Sequence, residues 1–213
     1  MGRILCLFSS SIGKKITVAL AGLLLCGFLV THLAGNLFLF VGEGAFNHYA
    51  ETLEKNPLLL PAELGLLALF LAHIVVSLYL RWQNKQARPV AYDSAKAKGG
   101  RTPGSRTMTY TALTVLAFLI IHIRTFKFGE DPDGLYRLVM AWFKNPFYAG
   151  FYVLAMGALM LHLSHGIQSA FQTLGLNHPR YTPIVKKLGL GFAVVIAGGF
   201  ASIPIWAFLR GAN

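Results

Sequence analysis

Imidazole is the side chain best suited to holding a transition metal at neutral pH, and an ionisable group inside a membrane-length apolar run is costly enough to need a task. Five of the seven histidines in this chain, His32, His73, His122, His162 and His165, stand in such runs. The stretch 155–174, AMGALMLHLSHGIQSAFQTL, holds two of them. On a helix, residues three, four and seven apart share a face, and the face of His162 carries Ala155, Ala158, Gly166 and Ser169. Side chains this small leave room for something flat and bulky. His32, His73 and His122 each stand alone in a run of their own, so four helices each offer an imidazole, as two metal centres ligated from both sides would require.

The elements that carry these residues follow from composition. Hydrophobic residues make up 55% of 213 positions and charged residues 13%, with a mean hydropathy of +0.56. That leaves too little polar surface to coat a soluble globule of this size. The net charge of +11 would suit nucleic acid, but membrane proteins gather their basic residues on cytoplasmic loops, and that pattern is found here, so no nucleic-acid partner is expected. Cys6 and Cys26 sit apart, with no CxxCH for covalent haem and no cluster for iron–sulfur or zinc. Any haem would be held non-covalently, and any iron–sulfur centre would belong to another chain. The first eleven residues, with Arg3, weakly imitate a signal peptide. Directly behind Lys14 and Lys15, however, begins a run over 16–41 long enough to cross the roughly 30 Å hydrocarbon core. The expected fold is a single all-α membrane domain over 1–213, a bundle of five transmembrane helices at about 13–42, 58–86, 106–128, 146–175 and 184–210.

Charge sets the expected topology. With the N-terminus cytoplasmic, thirteen Lys and Arg fall on the inner side and six on the outer, where six of the eight acids also lie. This bias predicts N-terminus in and C-terminus out. The basic second connection, 81–106, is then a cytoplasmic face open to anionic lipid or a soluble partner, or serves topology alone. At 1.5 Å rise per residue, His32 and His122 both lie roughly 25 Å above the inner boundary and form an outer pair. His73 lies roughly 12 Å from that boundary, and counting back from Leu174 puts His162 roughly 18 Å and His165 roughly 14 Å from it. Depth alone thus slightly prefers His165 as the partner of His73, whereas the small residues flanking His162 favour His162. Zinc sites converge three or four ligands on one point. Two pairs at different depths suit bis-histidine haem instead.

The segments SSIGKKITVALAGL…THLAGNLFLF, GAFNHYAETLEKNPLLLPAELGLL…AHIVVSLYL and HLSHGIQSAFQTLGLNH resemble, in order and over nearly the whole chain, the five-helix di-haem cytochrome b subunit of succinate dehydrogenase and fumarate reductase. HLxxN, AFN, AELG and HxxxG fall on their expected helices. The resemblance implies a membrane anchor with two haems b stacked across the bilayer, His32 and His122 ligating the outer iron and His73 and His162 the inner. It counts thirteen residues from the fourth-helix ligand to a terminal glycine, the spacing of His162 and Gly175, and leaves His165 to bond a propionate or to stand as the alternative ligand. Arg124 would neutralise an outer propionate, or snorkel to the interface. Met160 departs from one fumarate reductase pattern, which has glutamate there, and so removes a carboxylate from any proton route along that helix.

The implied function is electron transfer in the respiratory chain of a bacterial cytoplasmic membrane. Electrons would pass between a cytoplasmic flavoprotein and iron–sulfur pair, which handle succinate and fumarate in the tricarboxylic acid cycle, and a membrane quinone, expected to be menaquinone. No dicarboxylate chemistry, and hence no catalytic residue for it, is expected on this chain. Quinone chemistry near the outer haem would need a proton-exchanging group. In the first connection, GEGAFNHYAETLEKN, Glu54 is the preferred candidate and Glu51 the next, with Glu43 and His48 nearby, while Glu63 behind Pro61 would stabilise a first helical turn. At the inner end Ser11, Lys14 and Lys15 resemble a quinone-binding region of single-haem relatives, and otherwise serve topology. The competing readings are the cytochrome b subunit of another membrane dehydrogenase and a histidine-lined proton-coupled transporter, which would show broken helices and internal repeats.

Overall fold

A computed structural model describes residues 10–87, 103–130 and 132–211, and among these every regular element is a helix. Five spans are long and apolar enough to cross a membrane. The first combines α1 (Ser11–Asn36) with a further turn, α2 (Phe38–Val41). The others are α4 (Leu59–Gln86), α5 (Pro103–Phe126), α7 (Pro146–Thr173) and α8 (Thr182–Gly211), and two short helices, α3 (Glu43–Glu54) and α6 (Leu135–Phe143), lie in the connections.

Local chemistry starts and stops these elements. The Ser10 hydroxyl accepts from the Gly13 amide at 3.0 Å and caps α1. The Asn145 carboxamide accepts from the amides of Phe147 and Tyr148 ahead of Pro146, whose missing N–H costs nothing in a first turn. Gly42 and Gly134 adopt φ of 136° and 91° and so turn the chain into α3 and α6 at angles that residues with a Cβ resist.

The helix α7 is the centre of the bundle, packing against α8, α5 and α1. Its buried Ala155, Met156, Leu159 and Leu163 meet Leu33 of α1 and Ala193 and Ile196 of α8. In contrast α4 packs chiefly on α1 and buries no residue. Its outer face presents Leu64, Leu67, Leu71, Val75 and Leu78, an exterior for which hydrocarbon rather than water is the natural solvent. The spans and the apolar exterior make this a multi-pass membrane protein.

The boundaries differ from expectation in two ways. The third span begins at Pro103 rather than near 106, because proline is well placed in a first turn. Two connections expected as loops contain α3 and α6, which form a second core at one end of the bundle. Phe46, Val139 and Phe143 there join Leu39, Ile203 and Ala207. The Asn47 carboxamide accepts from the Tyr136 amide at 2.9 Å and Arg137 pairs with Glu43 at 2.8 Å, tying α6 to α3.

Candidate functional site

Two histidine pairs sit between the long helices. At the level nearer the α3–α6 cap, His32 on α1 and His122 on α5 bring their rings to a centroid separation of 5.8 Å at 87°. Phe28 stacks on His32 at 5.1 Å and Phe200 lies 5.6 Å from it, while Phe118 stacks on His122 at 5.4 Å. Asn36 donates to the His32 carbonyl at 2.8 Å, and its amide nitrogen lies 3.4 Å from His32 Nε2. The hydroxyl of Tyr152 on α7 lies 3.3 Å from His122 Nδ1 and 2.9 Å from the Tyr148 hydroxyl.

The second pair joins His73 on α4 to His162 on α7, with centroids 6.3 Å apart at 76°. His73 Nδ1 is 3.2 Å from the Val18 carbonyl. A carbonyl only accepts, so this contact puts the proton on Nδ1 and leaves the Nε2 lone pair free. Gly22, one turn on, makes room: a Cβ there would stand 3.1 Å from His73 Cε1. Among the described residues the buried Nδ1 atoms of His162 and His165 meet no hydrogen-bond partner, which costs about 1–3 kcal/mol for each group so stranded. The ring that meets His73 is that of His162, and His165 stands three residues further on. It packs at the start of α5, where a Cβ on Gly104 would lie 3.0 Å from His165 Cβ and 2.7 Å from the Leu161 carbonyl.

The two levels are well separated. On α1 the residue beside His73, Gly22, precedes His32 by ten positions, and on α7 Tyr152, beside His122, precedes His162 by ten. Each count gives roughly 15 Å along a helix axis. No family model, curated protein or solved structure matches this chain.

Imidazole binds first-row metals at about 2 Å, so two rings on opposite sides of one ion have centroids roughly 6 Å apart. Both pairs have that spacing. Perpendicular ring planes are compatible with it, because each ring turns freely about its metal–nitrogen axis. Among the described residues no three or more His, Cys, Asp or Glu side chains converge, and the histidines meet in twos. Gly22 beside His73, the small residues around His162 and the Nδ1 atom of His162 fit a bis-imidazole group at the His73–His162 level, as the ring spacing does at the His32–His122 level.

The other expected residues lie apart from the pairs. Arg124 is exposed and donates to the Phe128 carbonyl at 3.2 Å. Glu51 is exposed and pairs with Lys55 at 3.3 Å, and Glu54 is exposed at the end of α3, as is His48 within it. Glu63 pairs with Lys127, linking the start of α4 to the end of α5 as well as sitting in an early helical turn. At the opposite end Lys14 lies over the Tyr79 ring at 4.5 Å and reaches Gln83 at 3.5 Å. Arg3, Cys6 and most of the basic second connection lie outside the described residues. Sequence reasoning missed Val18, Asn36 and Tyr152 as partners of the histidines. For Tyr152 a signal did exist, since it stands ten residues before His162, but it is one of eight tyrosines and nothing in the sequence singles it out.

Proposed function

We propose that this chain is the membrane-anchor cytochrome b subunit of a succinate:quinone oxidoreductase. The observation that supports it is the pair of histidine pairs, one member on each of α1, α4, α5 and α7, at two depths. In this reading His32 and His122 hold one haem b and His73 and His162 the other, each iron supplying reversible one-electron chemistry when bound. The chain's own residues do the rest. The Val18 carbonyl keeps the His73 proton on Nδ1 and turns Nε2 toward its ligand, as a partner beyond the ligand shell commonly does. Phe28, Phe118 and Phe200 surround the outer imidazoles with apolar rings and keep water from them. His165 and Arg124 offer donors to propionate groups, and Glu54 and Glu51 exchange protons with quinone at the α3 end.

The remaining assignments belong to the same proposal. The N-terminus faces the cytoplasm of a bacterium, the partners there are an iron–sulfur subunit and a flavoprotein, and the quinone is menaquinone. The test is purification of the complex from its native membrane, followed by haem extraction as the pyridine adduct and identification of co-purifying subunits. Two non-covalent haems b per chain together with flavin and iron–sulfur centres is the expected result. Two haems alongside a different dehydrogenase would keep the histidine assignment and replace the partner. A folded protein without haem would overturn the reading.

A further inference from the structure

The two levels differ in what holds their imidazoles. At the inner level the His73 contact is with a backbone carbonyl, which can run only one way. At the outer level the neighbour of His122 Nδ1 is a phenol, which both donates and accepts. Tyr152 is 5% exposed and enclosed by the rings of Phe118 at 4.9 Å and Phe143 at 5.0 Å. Its hydroxyl meets His122 Nδ1 on one side and the Tyr148 hydroxyl on the other. With one proton to give, it satisfies both neighbours in only two ways. If Tyr152 donates to His122, the imidazole proton moves to Nε2 and the lone pair that binds metal is lost. If Tyr152 donates to Tyr148, its oxygen accepts from His122 Nδ1–H and Nε2 stays free. Tyr148 is half-buried at the first turn of α7, and in this second arrangement its own proton is directed away from Tyr152.

We propose that Tyr152, backed by Tyr148, is a positioning residue that holds His122 in its ligating tautomer. The proposal rests on the haem reading given above for the His32–His122 pair. A partner that accepts the Nδ1 proton also makes a ligating imidazole a stronger donor, which favours the oxidised metal. Removing the hydroxyl should therefore raise the midpoint potential of one haem and leave the other, whose ligand is held by Val18, unchanged.

The experiment is potentiometry with optical and electron paramagnetic resonance detection on the purified, haem-loaded complex. The variant Tyr152→Phe keeps the ring and deletes the hydroxyl. Its expected result is two haems retained, an upward shift in the potential of the haem that His122→Ala removes, and a changed low-spin signal for that haem alone. Tyr148→Phe removes the acceptor of the Tyr152 proton and should move the same haem in the same direction by less. If Tyr152→Phe fails to assemble, Tyr148→Phe carries the test, and an unchanged outer potential in it overturns the proposal. Unchanged potentials in a loaded Tyr152→Phe protein, or equal shifts of both haems, also overturn it. Absence of haem from the unsubstituted complex would instead remove the underlying reading, so the two failures are distinguishable.

Discussion

A ring needs space as well as a partner, and two glycines of α1 supply it. Gly22 faces His73, and Gly35 faces the ring of Tyr49 on α3, where an added Cβ would stand 2.6 Å from Cε1 and Cζ and closer still to the hydroxyl. Overpacking of this kind costs about 1–3 kcal/mol. Gly35→Ala should therefore lower thermal stability in detergent without altering either histidine pair, whereas Gly22→Val should displace His73. On the proposed function the second variant keeps one haem of two, read by extraction, and equal loss of both would contradict the local role given to Gly22. The histidines themselves make a sharper case. His32→Ala and His122→Ala should each remove the same haem, and His73→Ala and His162→Ala the other, because a bis-histidine site loses its low-spin ligation when either side is cut. Loss of a haem in His165→Ala but not in His162→Ala would reverse the assignment on α7.

At the scale of elements, the α3–α6 cap is the part of the fold most open to testing. Asn47 joins the two helices through one hydrogen bond to Tyr136, and its replacement by Ala should cost about 0.5–1.5 kcal/mol, measured as a lower unfolding temperature. The same cap carries Glu51 and Glu54. If they exchange protons with quinone, Glu54→Gln and Glu51→Gln will slow quinone-linked turnover while succinate oxidation with a soluble dye and both haems persist. Unchanged turnover in the double variant would end that assignment. The five spans were legible because continuous apolar runs report them directly. The approach of His32 to His122 was legible because both lie at matched distances from basic boundaries. The choice between His162 and His165 as the neighbour of His73 was not. They are three residues apart, nearly one turn, and a shift of that size is absorbed by helix tilt. The short helices were readable in principle, since Leu135, Leu138, Val139 and Trp142 repeat at helical spacing. Length and polarity made their segments look like loops.

Over the whole molecule, the charge bias predicts that a fluorescent protein fused ahead of Met1 folds in the cytoplasm and that alkaline phosphatase fused after Asn213 is active outside. The reverse pattern would invert every assignment of inner and outer. The packing also divides the chain. One part is the hairpin of α1 and α4 with α3 between them, the other is α5, α7 and α8 with α6, and the two meet where α1 packs on α7 and α3 on α6. Each histidine pair takes one member from either part: His32 and His73 from the first, His122 and His162 from the second. A group gripped by both members of a pair would therefore add a clasp between two halves that already meet where α1 packs on α7 and α3 on α6. On the proposed function, fragments ending at Ala87 and starting at Pro103, made together in one cell, should find each other in proportion to the haem supply, because a ligand that binds only the joined form draws the equilibrium toward it. Complementation of this kind would make assembly a matter of mass action, and covalent continuity a convenience.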